Sequence, residues 1–170
     1  LGAGQVVDVT TAAATLAANA TVYAMRSSQN ILPTATFNSI TFDSGAGNIG
    51  GGLLLTGGTI NPVQTQAVGV SPITLQMTLN FGANEALIYT SGASVINAQI
   101  TGSGGLTKFG ASSLQLSGSN SGLTGAITVN QGTLILQNVI SNSGTAVAGV
   151  TNGQDIVLNG GSGQGSVLTI

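Results

Sequence analysis

Few residues in this chain can do chemistry. Asp8, Asp43, Glu85 and Asp155 carry the carboxylates, Arg26 and Lys108 the cations, and there is no histidine or cysteine. Without them there is no Ser–His–Asp or Cys–His relay, no His-based zinc site and no thiolate or disulfide chemistry. Paired carboxylates, as glycoside hydrolysis uses them, are the remaining route to acid–base catalysis. The four acids are far apart in sequence, a poor start for any pairing on adjacent strands. A polysaccharide-cleaving groove would need clustered Arg, Lys and Asp, and one Arg with one Lys does not make a cluster. The chain is expected to be non-catalytic, with no catalytic, cofactor-binding or metal-ligating residues and no cofactor.

Two glycine patterns need weighing. Gly45, Gly47 and Gly50 form GxGxxG after the strand-like Ser39–Phe42. A dinucleotide site requires a helix to open at that point, and the succeeding Gly51-Gly52-Leu53-Leu54-Leu55-Thr56-Gly57-Gly58 is turn and strand. Gly160-Gly161-Ser162-Gly163-Gln164-Gly165 approaches a calcium nonapeptide, but Gly165 stands where the ligand Asp belongs. Both read as Gly-rich turns. Arg26 and Lys108 are isolated, and Lys108 is read as blunting a strand edge or covering a turn.

These residues must be held by an unusual chain. Of its 170 residues only 4% are charged, against roughly 25% in ordinary globular proteins. Hydrophobic residues make up 42% and aromatics 4%, so Leu, Ile, Val and Ala supply the core, while Thr, Ser, Asn, Gln and Gly supply the surface. Disorder requires the opposite balance. A nucleic-acid surface requires cationic residues that a net charge of −2 does not provide. A membrane-spanning helix needs about 18 unbroken apolar residues, and every candidate run is interrupted. The length suits one domain over residues 1–170. Beginning at Leu1 and ending in a strand-like run, the chain reads as a processed product or a portion of something longer.

Helix signals are sparse, and 27 glycines punctuate the chain. The Ala-rich stretch 11–24 admits a short helix, although Thr15, Thr21 and Val22 lean towards strand. Elsewhere short runs alternate with period two, as in Ser39–Phe42, Ser113–Leu116, Ala126–Val129 and Thr133–Leu136. Alternation puts Leu114 and Leu116 on one face and Gln115 on the other. One apolar line can be followed through Leu16, Phe37, Leu55, Leu75, Val95, Leu114, Leu134 and Ile156, at steps near twenty residues. That period predicts an all-β chain built as a parallel β-helix (β-solenoid) of about eight coils, making a rod of roughly 40 Å at about 4.8 Å per coil. A β-sandwich or jelly roll is the alternative. Asn61, Asn80, Asn97, Asn120, Asn138 and Asn159 follow a similar spacing, as a ladder of stacked amides or as plain turn residues.

Residues 100–136 add a resemblance. Gly105-Leu106-Thr107-Lys108, Gly110-Ala111, Leu114-Gln115-Leu116-Ser117-Gly118, Asn120, Thr124-Gly125, Val129-Asn130 and Gly132-Thr133-Leu134 resemble the autotransporter-associated β-strand repeat of bacterial surface proteins. Ser112 stands where that pattern has Gly, and Leu123 replaces its Tyr. Residues 38–43 and 51–60 resemble the leader coils that precede it. The resemblance implies a right-handed parallel β-helix, secretion to the cell surface, and a structural or transport-assisting role.

The expected function is therefore a structural module of an extracellular bacterial fibre, filament or autotransporter-like surface protein. Its partners are expected to be copies of itself, assembled end to end or by donation of a strand from residues 1–24. The alternative is an adhesin or carbohydrate-binding module of the same fold, its partners surface glycans bound through some of Phe37, Phe42, Phe81, Phe109, Tyr23 and Tyr89. Functional amyloid is a third reading, which requires in-register stacking of identical chains.

Overall fold

The computed structural model describes residues 5–34, 38–43, 51–60, 76–118, 120, 122–137, 139–140, 147–148, 155–159 and 165–169. Among them there is no helix, and so none long and apolar enough to cross a membrane. Period-two alternation, β-branched residues and Gly or Asn at the corners produce twenty-one short strands. In chain order these are β1 (Val6–Val9), β2 (Ala14–Leu16), β3 (Ala20–Val22), β4 (Ala24–Ser27), β5 (Ile31–Pro33), β6 (Asn38–Phe42) and β7 (Gly52–Leu55). Next come β8 (Thr59–Ile60), β9 (Met77–Asn80), β10 (Ala86–Thr90), β11 (Ser94–Ile96), β12 (Gln99–Gly102), β13 (Leu106–Phe109) and β14 (Leu114–Leu116). The last seven are β15 (Gly122–Leu123), β16 (Ile127–Val129), β17 (Gly132–Leu136), β18 (Val139–Ile140), β19 (Val147–Ala148), β20 (Ile156–Leu158) and β21 (Ser166–Thr169). The ambiguous stretch 11–24 is strand: it holds β2, β3 and the start of β4.

From β1 to β15 the chain visits three parallel sheets in rotation, and β16, β17, β20 and β21 extend two of them. Sheet A is β1-β4-β7-β10-β13-β16-β20, sheet B is β2-β5-β8-β11-β14-β17-β21, and sheet C is β3-β6-β9-β12-β15. One pass through the sheets is a coil. Among the described residues sheets A and B each hold seven strands, against the eight or so coils that the period predicts. At about 4.8 Å per strand they extend roughly 29 Å rather than 40 Å. An antiparallel pair, β18 with β19, lies between β17 and β20 in the chain.

The shortfall comes from uneven coils. In sheet A the register partners Ala86, Leu106 and Ile127 keep close to the expected period. Earlier in the same sheet, Ala24 partners Gly52 and Gly52 partners Leu87, both well over the expected step. A constant step of twenty therefore slips between sheets. Leu16 lies in sheet B, Leu55 in sheet A, Val95 on the outer face of sheet B and Ile156 back in sheet A. Leu114 and Leu134 are true register partners. Phe37 and Leu75 lie outside the described residues.

The core is a set of inward ladders. Ile31, Ile60, Ile96, Leu116 and Leu136 stack one per coil in sheet B, each at most 3% exposed. In sheet C, Ile40, Leu79 and Ile100 stack likewise, and the Phe42 and Phe81 rings stack face to face with centroids 4.3 Å apart. Leu123, in place of the aromatic of the resembled pattern, is fully buried. Gly110 has a positive φ (84°), and a Cβ there would collide with the Thr90 carbonyl of the neighbouring coil.

Candidate functional site

Two polar or aromatic constellations stand out against this apolar frame: one inside the corner joining sheets A and B, the other on the outer face of sheet A. At the inner corner the carbonyls of Val9, Gln29, Gly92 and Ser112 face buried hydroxyls, and a buried acceptor left unpaired is costly. Inward-facing side chains satisfy them. The Ser27 hydroxyl donates to the Gln29 carbonyl at 2.9 Å and the Val9 carbonyl at 3.3 Å. Thr90 donates to the Ser112 carbonyl at 2.9 Å, and Ser94 to the Gly92 carbonyl at 2.9 Å. All three side chains are buried.

Lys108 occupies the same corner. Register places it in the inward column between Ile88 and Val129, and its side chain is 0% exposed. Its Nζ donates to the carbonyls of Gly110 (2.7 Å), Gln131 (2.9 Å) and Phe109 (3.1 Å). Those acceptors account for the three N–H bonds of an ammonium and tie two successive corners together. Burial lowers its pKa from 10.5 to about 8. The expectation of a cation blunting a solvent-facing strand edge is corrected: Lys108 covers a turn, but from within. A buried amine with its donors engaged holds backbone in place.

The carboxylates do not converge. Asp8 pairs with Arg26 at 3.7 Å on the outer face of sheet A, both half exposed. Glu85 accepts from the Thr107 hydroxyl. Asp43 follows β6 in sheet C. Glu85 and Asp155 precede β10 and β20 in one register column, three strands apart or roughly 14 Å. That exceeds the roughly 5–9.5 Å separations of glycosidase carboxylate pairs. Gly45, Gly47 and Gly50 lie outside the described residues, and the next described element is strand β7, where a dinucleotide site needs a helix. Residues 160–164 of the Gly-rich run also lie outside them. Among the described residues no group of acids could hold a metal ion.

Asparagines serve as coil-to-coil clips at several corners. Asn19 Oδ1 accepts from Ser39 N–H (2.9 Å), Asn30 from Thr59 N–H (2.9 Å) and Asn120 from Ile100 N–H (3.2 Å). Asn80 accepts from Gly82 N–H and the Thr101 hydroxyl. Of the asparagines threaded by spacing, Asn61 and Asn138 lie outside the described residues. Asn97 and Asn120 both lie where the chain passes from sheet B to sheet C, whereas Asn80 ends β9 in sheet C and Asn159 follows β20 of sheet A, so the four do not form one ladder. The amide–amide contact at Asn159 is with Asn130, at 3.0 Å.

On the outer face of sheet A, Tyr89 (48% exposed) and Phe109 (37%) are register neighbours on β10 and β13, with Leu54 of β7 beside Tyr89. Phe42 and Phe81 are buried, Tyr23 is half-buried, and Phe37 lies outside the described residues. The exposed pair is among the candidate aromatics, but its adjacency is no part of the sequence expectation. Alternation carries the signal: Ala86, Ile88 and Thr90 inward put Tyr89 outward, and Leu106 inward puts Lys108 in and Phe109 out. Comparison of the chain with family models, curated proteins and solved structures finds no match.

Proposed function

We propose that this chain is a non-catalytic structural module: a stretch of right-handed parallel β-helix serving as part of an extracellular bacterial fibre, filament or autotransporter-like surface protein. The observation that carries this reading is the rotation of the chain through three parallel sheets, with one inward apolar residue per coil in each ladder. The right hand is what the resemblance of residues 100–136 implies. The resemblance of residues 100–136 to a surface-protein repeat supports the location. Near absence of charge and main-chain ladders suit a rod exposed to changing salt and to proteases.

The same reading includes self-assembly. β1, β2 and β3 lie at one end of their sheets and β20 and β21 at the other, each with an unpaired edge among the described strands. Such edges accept further strands in the same register. Since β1–β3 already pair with β4–β6, end-to-end stacking is the favoured route over donation of residues 1–24. Sedimentation velocity at micromolar concentration, followed by electron microscopy, tests this: concentration-dependent elongated species are expected. A monodisperse compact monomer across the range rules out assembly of this chain by itself.

A further inference from the structure

The outer face of sheet A carries a straight column with one residue per strand. Leu54, Tyr89 and Phe109 form its centre by direct register. On one side the column continues to the Arg26–Asp8 ion pair, and on the other to the Asn130–Asn159 amide pair. Leu87, 36% exposed, lies beside Tyr89 and opposite Gly52, where a side chain would meet nothing within 4 Å. The result is an aromatic and aliphatic strip with a shallow step on one flank and hydrogen-bonding groups at both ends.

We infer that this strip is a binding track for a neutral, linear polysaccharide lying along the stack axis. Three observations select that ligand. The exposed parts of Leu87, Tyr89 and Phe109, even with those of Val6 and Val157 in the column of Leu87, amount to on the order of 400 Å², well below the roughly 800 Å² per partner of a stable protein interface. A second copy of the chain therefore gains too little there, whereas one or two pyranose rings would be covered. Charge excludes an acidic polymer: the chain has two cations, of which Lys108 is buried and Arg26 faces Asp8. The flanking groups are amides and a compensated ion pair, which suit hydroxyls, while the apolar C–H face of a pyranose packs against an aromatic ring. Strand spacing of about 4.8 Å sets Tyr89 and Phe109 side by side along one line, the geometry an extended chain can follow.

The site is independent of end-to-end assembly, because the track faces away from the stack ends. Titrating the whole chain with cellohexaose, xylohexaose, chitohexaose and maltohexaose, by calorimetry and tyrosine fluorescence, tests it. At least one should bind saturably, with Kd on the order of 0.1–1 mM. Tyr89→Ala and Phe109→Ala should each weaken it at least tenfold while circular dichroism and the unfolding midpoint stay unchanged, and Tyr89→Phe should retain it. The inference is overturned if none of the four binds, if the double alanine variant binds as well as the parent, or if an acidic oligogalacturonate binds equally well. It is also overturned if the parent dimerises and the double variant does not, since the strip would then be covered by a copy of the chain.

Discussion

The middle of the stack and its first coil are made of the same residue types, yet they differ in how completely they are closed. From β9 to β17 successive coils are nearly equal in length, corners are short, and the inward apolar side chains are at most 1% exposed. In the first coil Val7, Val9 and Leu16 point inward but are only partly buried, around an apolar cavity of about 90 Å³ that also touches Val22, Met25 and Ile40. Among the described strands each middle coil has neighbours on both sides, and the first has one. A ladder residue thus owes its burial to the adjacent coils more than to its own strand, as expected of a quasi-one-dimensional stack.

The sharpest way to break this comparison is to truncate the same side chain in both regions. Leu116→Ala, in the closed middle, should cost about 3–4 kcal/mol in urea unfolding, and Leu16→Ala at the open end under about 1 kcal/mol. Equal costs would show that the end coil is as closed as the middle. Lys108→Ala should come next, at about 2–3 kcal/mol, because three corner carbonyls lose their donor in a dry environment. If that variant unfolds at the parent's midpoint, water reaches the corner and the corner is not sealed.

A glycine pair sharpens the comparison further. Gly110→Ala combines a positive φ with a collision against the Thr90 carbonyl, whereas Gly82→Ala has a positive φ (59°) but open space around it. The first should cost more than about 2 kcal/mol and the second about 1 kcal/mol, read from thermal midpoints.

Lys108 also predicts a pH dependence with a definite sign. Its folded pKa is near 8 and its unfolded value 10.5, so between them the unfolded chain holds the extra proton. Stability should therefore rise as pH increases from about 8 to 10.5 and be unaffected by this group outside that window. The difference between the parent and Lys108→Met isolates it, and a difference that falls across the window would reverse the assignment. The smallest effect is expected at Arg26→Gln: the half-exposed pair with Asp8 is worth about 0.5 kcal/mol or less, fading with salt.

Much of the architecture is legible in local pattern. Ser39–Phe42, Ser113–Leu116, Ala126–Val129 and Thr133–Leu136 alternate cleanly and are strands β6, β14, β16 and β17, with ends that agree closely. The register fails where corners lengthen, because inserted residues change the step without changing the alternation. Leu55 and Val95 look like one line in sequence and lie in different sheets. A lone lysine usually faces solvent, so residue type places Lys108 outside, although alternation from Leu106 points it inward. In the structure, the carbonyls waiting at the corner decide for alternation.

Composition and alternation alone determined that the described residues form strands and no helix, with an aliphatic core, a hydroxyl- and amide-rich surface and almost no ionic chemistry. Those properties are local: they follow from what each side chain prefers beside its immediate neighbours. The pairing of coils, the polar seal at the A–B corner and the meeting of Tyr89 with Phe109 were decided only by tertiary structure. The strand pairings, the Thr90–Ser112 and Lys108–Gln131 bonds of the seal and the Tyr89–Phe109 register join residues about twenty positions apart or more, and that distance depends on the length of every intervening corner, which no local preference sets.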